Sequence, residues 1–173
     1  SGIDIAADVP EPPPAPNCAA VTVSAGLDTP YISVRWDRLA EESVIRDGSG
    51  DIFYDGAADL SGYRIYRTFD ERGIWWDLVK EISIAELPVY WDAENNRYEY
   101  LDSDLQFDFE FKYYVQAFSS NPKTWTSVNG TIVDNLGELV SDDYNQTPLV
   151  AARPGPADLA EGWDVFVAPN PYV

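Results

Sequence analysis

Histidine and methionine are absent from this 173-residue chain, cysteine occurs once, and 11 Lys and Arg stand against 30 Asp and Glu. Each shortage removes a class of chemistry. Without His there is no Ser-His-Asp or Cys-His nucleophile system and no His-ligated zinc, copper or haem. A lone Cys18 forms no internal disulfide and no multi-thiolate metal site. A formal charge of −19 repels phosphate backbones and anionic headgroups, which excludes nucleic acid and anionic membrane surfaces as natural partners. No apolar run reaches the roughly 18 residues of a spanning helix, so no membrane insertion is expected. Ser1 stands where an initiating Met is usual, with no basic-then-apolar leader behind it, and a processed or excised start is expected.

What is plentiful is aromatic: 11 Tyr, 7 Phe and 6 Trp, within 45% apolar residues. That is ample core material, so the charge does not imply disorder, and the length fits one domain. Residues 1–9 alternate, with Ile3, Ile5, Ala7 and Val9 on one side of an extended strand. Pro10 to Pro16 then predict a stiff spacer holding that strand away from the rest. Strands are predicted over 19–25, 31–36, 60–69, 75–84 and 98–102. The clearest alternation is Phe107, Phe109, Phe111, Tyr113, Val115 and Ala117, six apolar residues at period two. Residues 38–58 carry charges and glycines and predict a long loop. Residues 119–146 are polar, with a small hairpin expected around 131–140, and 147–154 predict a last strand ended by Pro154. Short strands with turn signals and no convincing helix predict an all-β antiparallel sandwich.

The order of motifs is that of a known family. Val34-Arg35-Trp36, then Gly62-Tyr63-Arg64-Ile65-Tyr66-Arg67, then the run from Phe111 through Tyr113 and Val115 to Ala117 resembles a fibronectin type III domain, in the versions found in bacterial secreted and cell-surface proteins. The resemblance covers about residues 12–154 and implies an immunoglobulin-like β-sandwich with two long insertions, 38–58 and 120–146. It divides the chain into a strand and spacer (1–16), the sandwich (17–154) and a tail (155–173). It also implies that Trp36 and Tyr63 fill the core between two sheets. Phe111 departs from the pattern: it stands where the family has a tyrosine whose hydroxyl ties a strand corner, a bond worth about 1 kcal/mol. The tail segment VFVAPNPYV resembles the stretch that precedes a type IX secretion sorting domain.

The resemblance implies a non-catalytic structural or adhesion module, outside the cell or on its surface, with protein partners and no obligatory cofactor. Three features supply candidate contacts. Asp47, Ser49 and Asp51, with Asp55 beyond, have the oxygen spacing that opens many calcium loops, although Ile52 and Ala58 break the full pattern; a solvated acidic loop is the alternative. Trp75, Trp76, Trp91 and Trp125 are candidates for stacking on sugar rings, against a satellite core as the alternative. Ile3, Ile5 and Val9 could complete a sheet of their own chain or of a neighbour, the second arrangement building filaments. Asp102, Asp104, Asp108 and Glu110 form a further acidic cluster, in which Asp108 and Glu110 share the outward face of a strand where solvated charge is expected, so no enzyme is expected. Asn129 and Asn145 head glycosylation sequons.

Overall fold

The computed structural model describes residues 11–23, 31–46, 48, 50–103, 105–106, 109–120, 125–126, 130, 132–133 and 137–152, with backbone alone at 125–126 and 132–133. In chain order its elements are β1 (Cys18–Val23), β2 (Tyr31–Trp36), α1 (Leu39–Glu42), β3 (Val44–Arg46), β4 (Ile52–Asp55), α2 (Gly56–Asp59), β5 (Gly62–Thr68), β6 (Asp77–Ser83), a 3-10 turn (Leu87–Tyr90), β7 (Trp91–Asp92), β8 (Arg97–Asp102), β9 (Glu110–Ser119), β10 (Trp125–Thr126), β11 (Ile132–Val133), β12 (Leu139–Val140) and β13 (Val150–Ala151). The chain is mostly β, as expected.

Two antiparallel sheets share one core. The first has the order β1-β2-β8-β7, and the second β12-β9-β5-β6 with β13 also on β9. Period-two alternation sends Ile32, Val34 and Trp36 inward from β2, where they oppose Asp102, Tyr100 and Tyr98 of β8. From the second sheet come Tyr63 and Ile65 of β5, opposite Ala117 and Val115 of β9, together with Phe111, Tyr113 and Ile82. Trp36 stacks on Tyr98 at 5.4 Å and meets Tyr63 edge-on at 5.7 Å, joining the sheets through aromatic contact.

The same parity puts two charged residues on inward rows, Asp102 at the end of β8 and Arg67 on β5. A buried ion is tolerable only when paired and hydrogen-bonded. Asp102, 1% exposed, accepts from Arg67 Nη1 at 2.9 and 3.1 Å and from the Tyr113 hydroxyl at 2.7 Å. Asp102 thereby ties the first sheet to two strands of the second. The Tyr113 hydroxyl makes this bond two residues beyond Phe111, whose ring has no hydroxyl to donate.

Other boundaries move. Residues 38–58 are not a loop of little regular structure. They fold as α1, a β3–β4 hairpin and α2, which close one end of the core. Ala40 and Tyr54 are buried, and the Tyr54 hydroxyl donates to Ala40 O at 2.6 Å. Gly56 donates its amide to Ser43 O, and a Cβ there would collide with the Ala40 and Glu41 carbonyls, so only glycine lets α2 approach α1. The expected hairpin at 131–140 forms instead between β10 and β11, while β12 leaves to join β9. Strand β9 starts at Glu110, later than the alternation predicts, and Phe109 lies outside it; Phe107 falls outside the described residues.

Among the described residues, the edge of β9 facing away from β5 has only two-residue partners, β12 and β13, at its two ends. Side chains complete the gap. Ser141 exchanges bonds with Ala117, and Thr147 with Tyr113: Ser141 Oγ accepts from Ala117 N at 2.9 Å and Thr147 Oγ1 from Tyr113 N at 3.0 Å, while the Ser141 and Thr147 amides donate back to the Ala117 and Tyr113 carbonyls. The Asn145 amide donates to Val115 O at 3.0 Å and Pro16 O at 2.7 Å, so its sequon nitrogen is engaged. The spacer therefore does not hold off from the domain over its described part: Pro13 and Pro16 are buried and Glu11 N donates to Phe53 O.

Asp102→Ala leaves Arg67 and the Tyr113 hydroxyl without their shared acceptor and is expected to cost about 3 kcal/mol. Tyr113→Phe should cost about 1 kcal/mol. Urea unfolding of both variants checks the order; equal, negligible losses would show that the tie contributes nothing.

Candidate functional site

The turn from β5 to β6 presents aromatic side chains to solvent on a loop held by polar bonds. Its hub is Asp70. The Asp70 carboxylate accepts from the amides of Arg72 at 3.1 Å and Ile74 at 3.3 Å and from Arg72 Nε at 3.3 Å. Its own amide donates to Thr68 Oγ1 and its carbonyl accepts from Gly73 N at 2.8 Å. Those amide donors, the Arg72 one first, hold the Asp70 carboxyl below its ordinary value. Gly73 has φ +67°, a left-handed turn that glycine adopts without strain, and its carbonyl accepts the Trp76 indole N–H at 2.8 Å. Lys112 of β9 donates to Glu71 O at 2.6 Å and pins the loop to the sheet.

Trp76 turns inward along this loop and meets Tyr114 edge-on at 4.7 Å, while Tyr114 stacks on Tyr66 at 4.9 Å. Burial there pushes the Tyr114 hydroxyl up to about 12. The neighbours point outward: Phe69 is 70% exposed, Trp75 75% and Ile74 54%. Thr68, Phe69, Trp75, Asp77 and the charged trio Asp70, Glu71 and Arg72 line a concavity of about 580 Å³. A second, of about 300 Å³, shares Thr68, Phe69 and Asp77 and runs on to Phe109 and Phe111.

At the opposite end of β6 a cavity of about 330 Å³ is lined by Arg38, Glu41, Leu87, Trp91 and Tyr98. Glu41, carried by α1, accepts from the hydroxyls of Tyr98 at 2.9 Å and Tyr63 at 3.2 Å. Arg38 lies 5.0 Å over the Trp91 ring, and Tyr98 meets that ring edge-on at 4.9 Å. Burial first, and the Glu41 carboxylate after it, push both tyrosine hydroxyls upward. These groups are spent on holding the insertion to the core.

The residues singled out from sequence thus disperse. Among the tryptophans, Trp75 is exposed, Trp76 packs in an outer aromatic cluster, and Trp91 belongs to the edge of the core; the Trp125 side chain lies outside the described residues, as do Ile3, Ile5 and Val9. Asp47 and Ser49 also lie outside them. Asp51 precedes the extended strand β4 and Asp55 ends it, so the strand's rise places their Cα atoms about 13 Å apart. Asp55 caps α2 through Ala57 N at 3.2 Å, and Arg46 Nη1 donates to Gly50 O beside the turn. Among the described residues, no three His, Cys, Asp or Glu side chains converge as a metal site. Cys18 is half-buried, and its thiol is pushed up to about 12 by burial, opposed by a hydrogen bond with the Val115 backbone. No helix among the described residues is long and apolar enough to cross a membrane. Sequence reasoning passed over Phe69 and Asp70; the legible signal was the Phe69-Asp70-x-x-Gly73 turn, with an Asx residue ahead of glycine.

Comparison with protein-family models and with curated proteins returns no match for this chain.

Two outcomes follow. Because the folded Asp70 carboxyl is held low, its contribution to loop order is complete above the ordinary carboxylate value of about 4 and is lost as pH falls through the lowered one. Acidification should therefore change tryptophan emission, and Asp70→Asn should show the altered emission already at neutral pH. A thiol titrating near 12 is almost wholly protonated at pH 8, so Cys18 should react with a disulfide reagent at least about 100-fold faster in urea than when folded.

Proposed function

We propose that this chain is a fibronectin type III-like sandwich serving, without catalysis, as a structural and interaction module of an extracellular bacterial surface protein. The observation that carries the reading is the strand order. Three strands, β1-β2-β8, form the body of one sheet, and β6-β5-β9 with β12 and β13 form the other, around one shared core. With β12 and β13 counted as one interrupted edge strand, this order supports a seven-stranded Greek-key sandwich, with the 38–58 insertion following the second strand. The resemblance of Trp36, Gly62 to Arg67 and Phe111 to Ala117 supports the same assignment. Glu41 and Asp102, the carboxylates bonded to the core tyrosines, are committed to tyrosine and arginine partners, which favours a holding role over an acid–base one.

In this reading Ile3, Ile5 and Val9 form a strand that completes an edge of a neighbouring copy, giving a head-to-tail filament. The anchoring of Glu11 on Phe53, with Pro13 and Pro16 buried, supports this reading by tying the spacer to the domain. Copies carrying −19 each repel one another, so assembly requires screening: the Debye length falls from about 30 Å at 0.01 M salt to about 8 Å at 0.15 M.

Light scattering and electron microscopy of the chain with and without residues 1–9 test this. Assembly should appear at the higher salt and vanish on deletion, with an unchanged melting temperature. The same assembly state in both chains at both salts would remove strand donation.

A further inference from the structure

We propose that the β5–β6 end of the domain, centred on Phe69 and Trp75, is a docking site for a basic segment of a partner protein in which Lys or Arg alternates with apolar residues. This rests on the reading of the chain as an interaction module and is independent of strand donation by residues 1–9.

The apolar part is larger than scattered surface residues require. Phe69, Ile74 and Trp75 are all more than half exposed, and Phe109, 47% exposed, continues the surface through the second concavity, which shares Phe69 with the first. The loop that carries them is ordered by the Asp70 carboxylate, the Gly73 turn and the Lys112 bond, and these use none of the exposed aromatic faces. A partner would therefore bury Phe69 and Trp75 without first having to order them, the condition under which aromatic anchors become binding hot spots.

Charge selects among occupants. The larger concavity is walled by Asp70, Glu71 and Asp77 against Arg72, whose Nε is already bonded to Asp70. The wall is net negative within a chain of −19. That field repels nucleic acid, acidic glycans and the acidic surface of a second copy, and it attracts ammonium and guanidinium groups. An exposed indole face gives such a cation a second attraction, worth most where carboxylates stand beside it. A neutral glycan would gain from the aromatic rings but nothing from the charge, so salt dependence separates the two.

The probe is a blocked hexapeptide alternating leucine and lysine, fluorescently labelled, titrated with the full chain at about 20 mM and about 300 mM salt. Binding should weaken at the higher salt, and Trp75→Ala and Asp77→Asn should each weaken it about tenfold with melting temperatures unchanged. Phe69→Ala, equally exposed, provides an independent variant. Equal binding of the glutamate counterpart, undiminished binding by Trp75→Ala and Phe69→Ala, no binding at all, or displacement by neutral maltoheptaose would each overturn the proposal. The assembly state, read by light scattering on the same samples, reports on the module reading separately.

Discussion

Strand β9 has to be hydrogen-bonded along both edges, and on the side away from β5 the described residues give it no continuous partner. β12 and β13 pair with its ends, and the stretch between them relies on Ser141, Thr147 and Asn145, with Cys18 arriving from the first sheet at Val115. An unmade bond at a buried backbone group costs about 1–3 kcal/mol, so these small polar side chains matter as much as apolar ones of similar size. The arrangement has a reach beyond the edge itself. Asn145 also binds Pro16 O, and Thr22 of β1 donates to Ala151 O of β13, so the same repair that satisfies β9 fastens β1 and the proline segment to the second sheet. Closure of the domain along this side is therefore polar in detail and apolar only behind it.

The interior charges follow the same logic. Aromatic contact between Trp36, Tyr63 and Tyr98 is favourable but weakly directional, and it leaves the sheets free to adjust against each other. Asp102 and Glu41 remove that freedom. One binds Arg67 and Tyr113 across the sheets, and the other binds Tyr63 and Tyr98 from the α1 insertion. Arg64 repeats the device on the outer face of the second sheet. Its guanidinium meets Glu138 at 2.6 Å and Glu81 at 2.6 Å and lies 4.0 Å over Phe118, joining β5, β6 and the approach to β12. An acidic chain with few bases thus spends several of its arginines where they cross-link strands.

Much of the architecture was legible because period-two alternation is a strong signal. β2, β5 and the inward row of β9 could be placed, as could the core roles of Trp36 and Tyr63. Even Asp102 was readable in principle, since Tyr98, Tyr100 and Asp102 share one parity; a carboxylate on an inward row demands a partner, whereas composition alone reads it as surface. The insertion was not legible, because four-residue helices carry no periodicity and the need for Gly56 arises only when α2 meets α1. Spacing in sequence is a poor guide to proximity for a related reason. Asp51 and Asp55 look clustered in sequence, yet the three residues between them are extended, and extension separates what a loop would gather. Pairing of β10 with β11 likewise depends on where β12 must go, which is a demand of β9 and not of the local turn.

Trp75 and Trp76 show how one residue of offset decides between core and surface. Trp76 can reach Gly73 O with its indole N–H and place its edge on Tyr114, so it is half-buried with its polar atom satisfied. Trp75 points the other way and gains neither contact. Fully burying a side chain of Phe or Ile size is worth about 1.5–3 kcal/mol, and an unconstrained loop would fold Phe69, Ile74 and Trp75 onto one another or onto the sheet to recover part of it. Here the Asp70 bonds to the Arg72 and Ile74 amides fix the backbone in a turn that leaves them exposed. The loop's order is set by polar geometry, and its apolar surface remains unburied. That leaves hydrophobic free energy available to whatever covers it, with the conformational entropy of the loop already spent in the free protein.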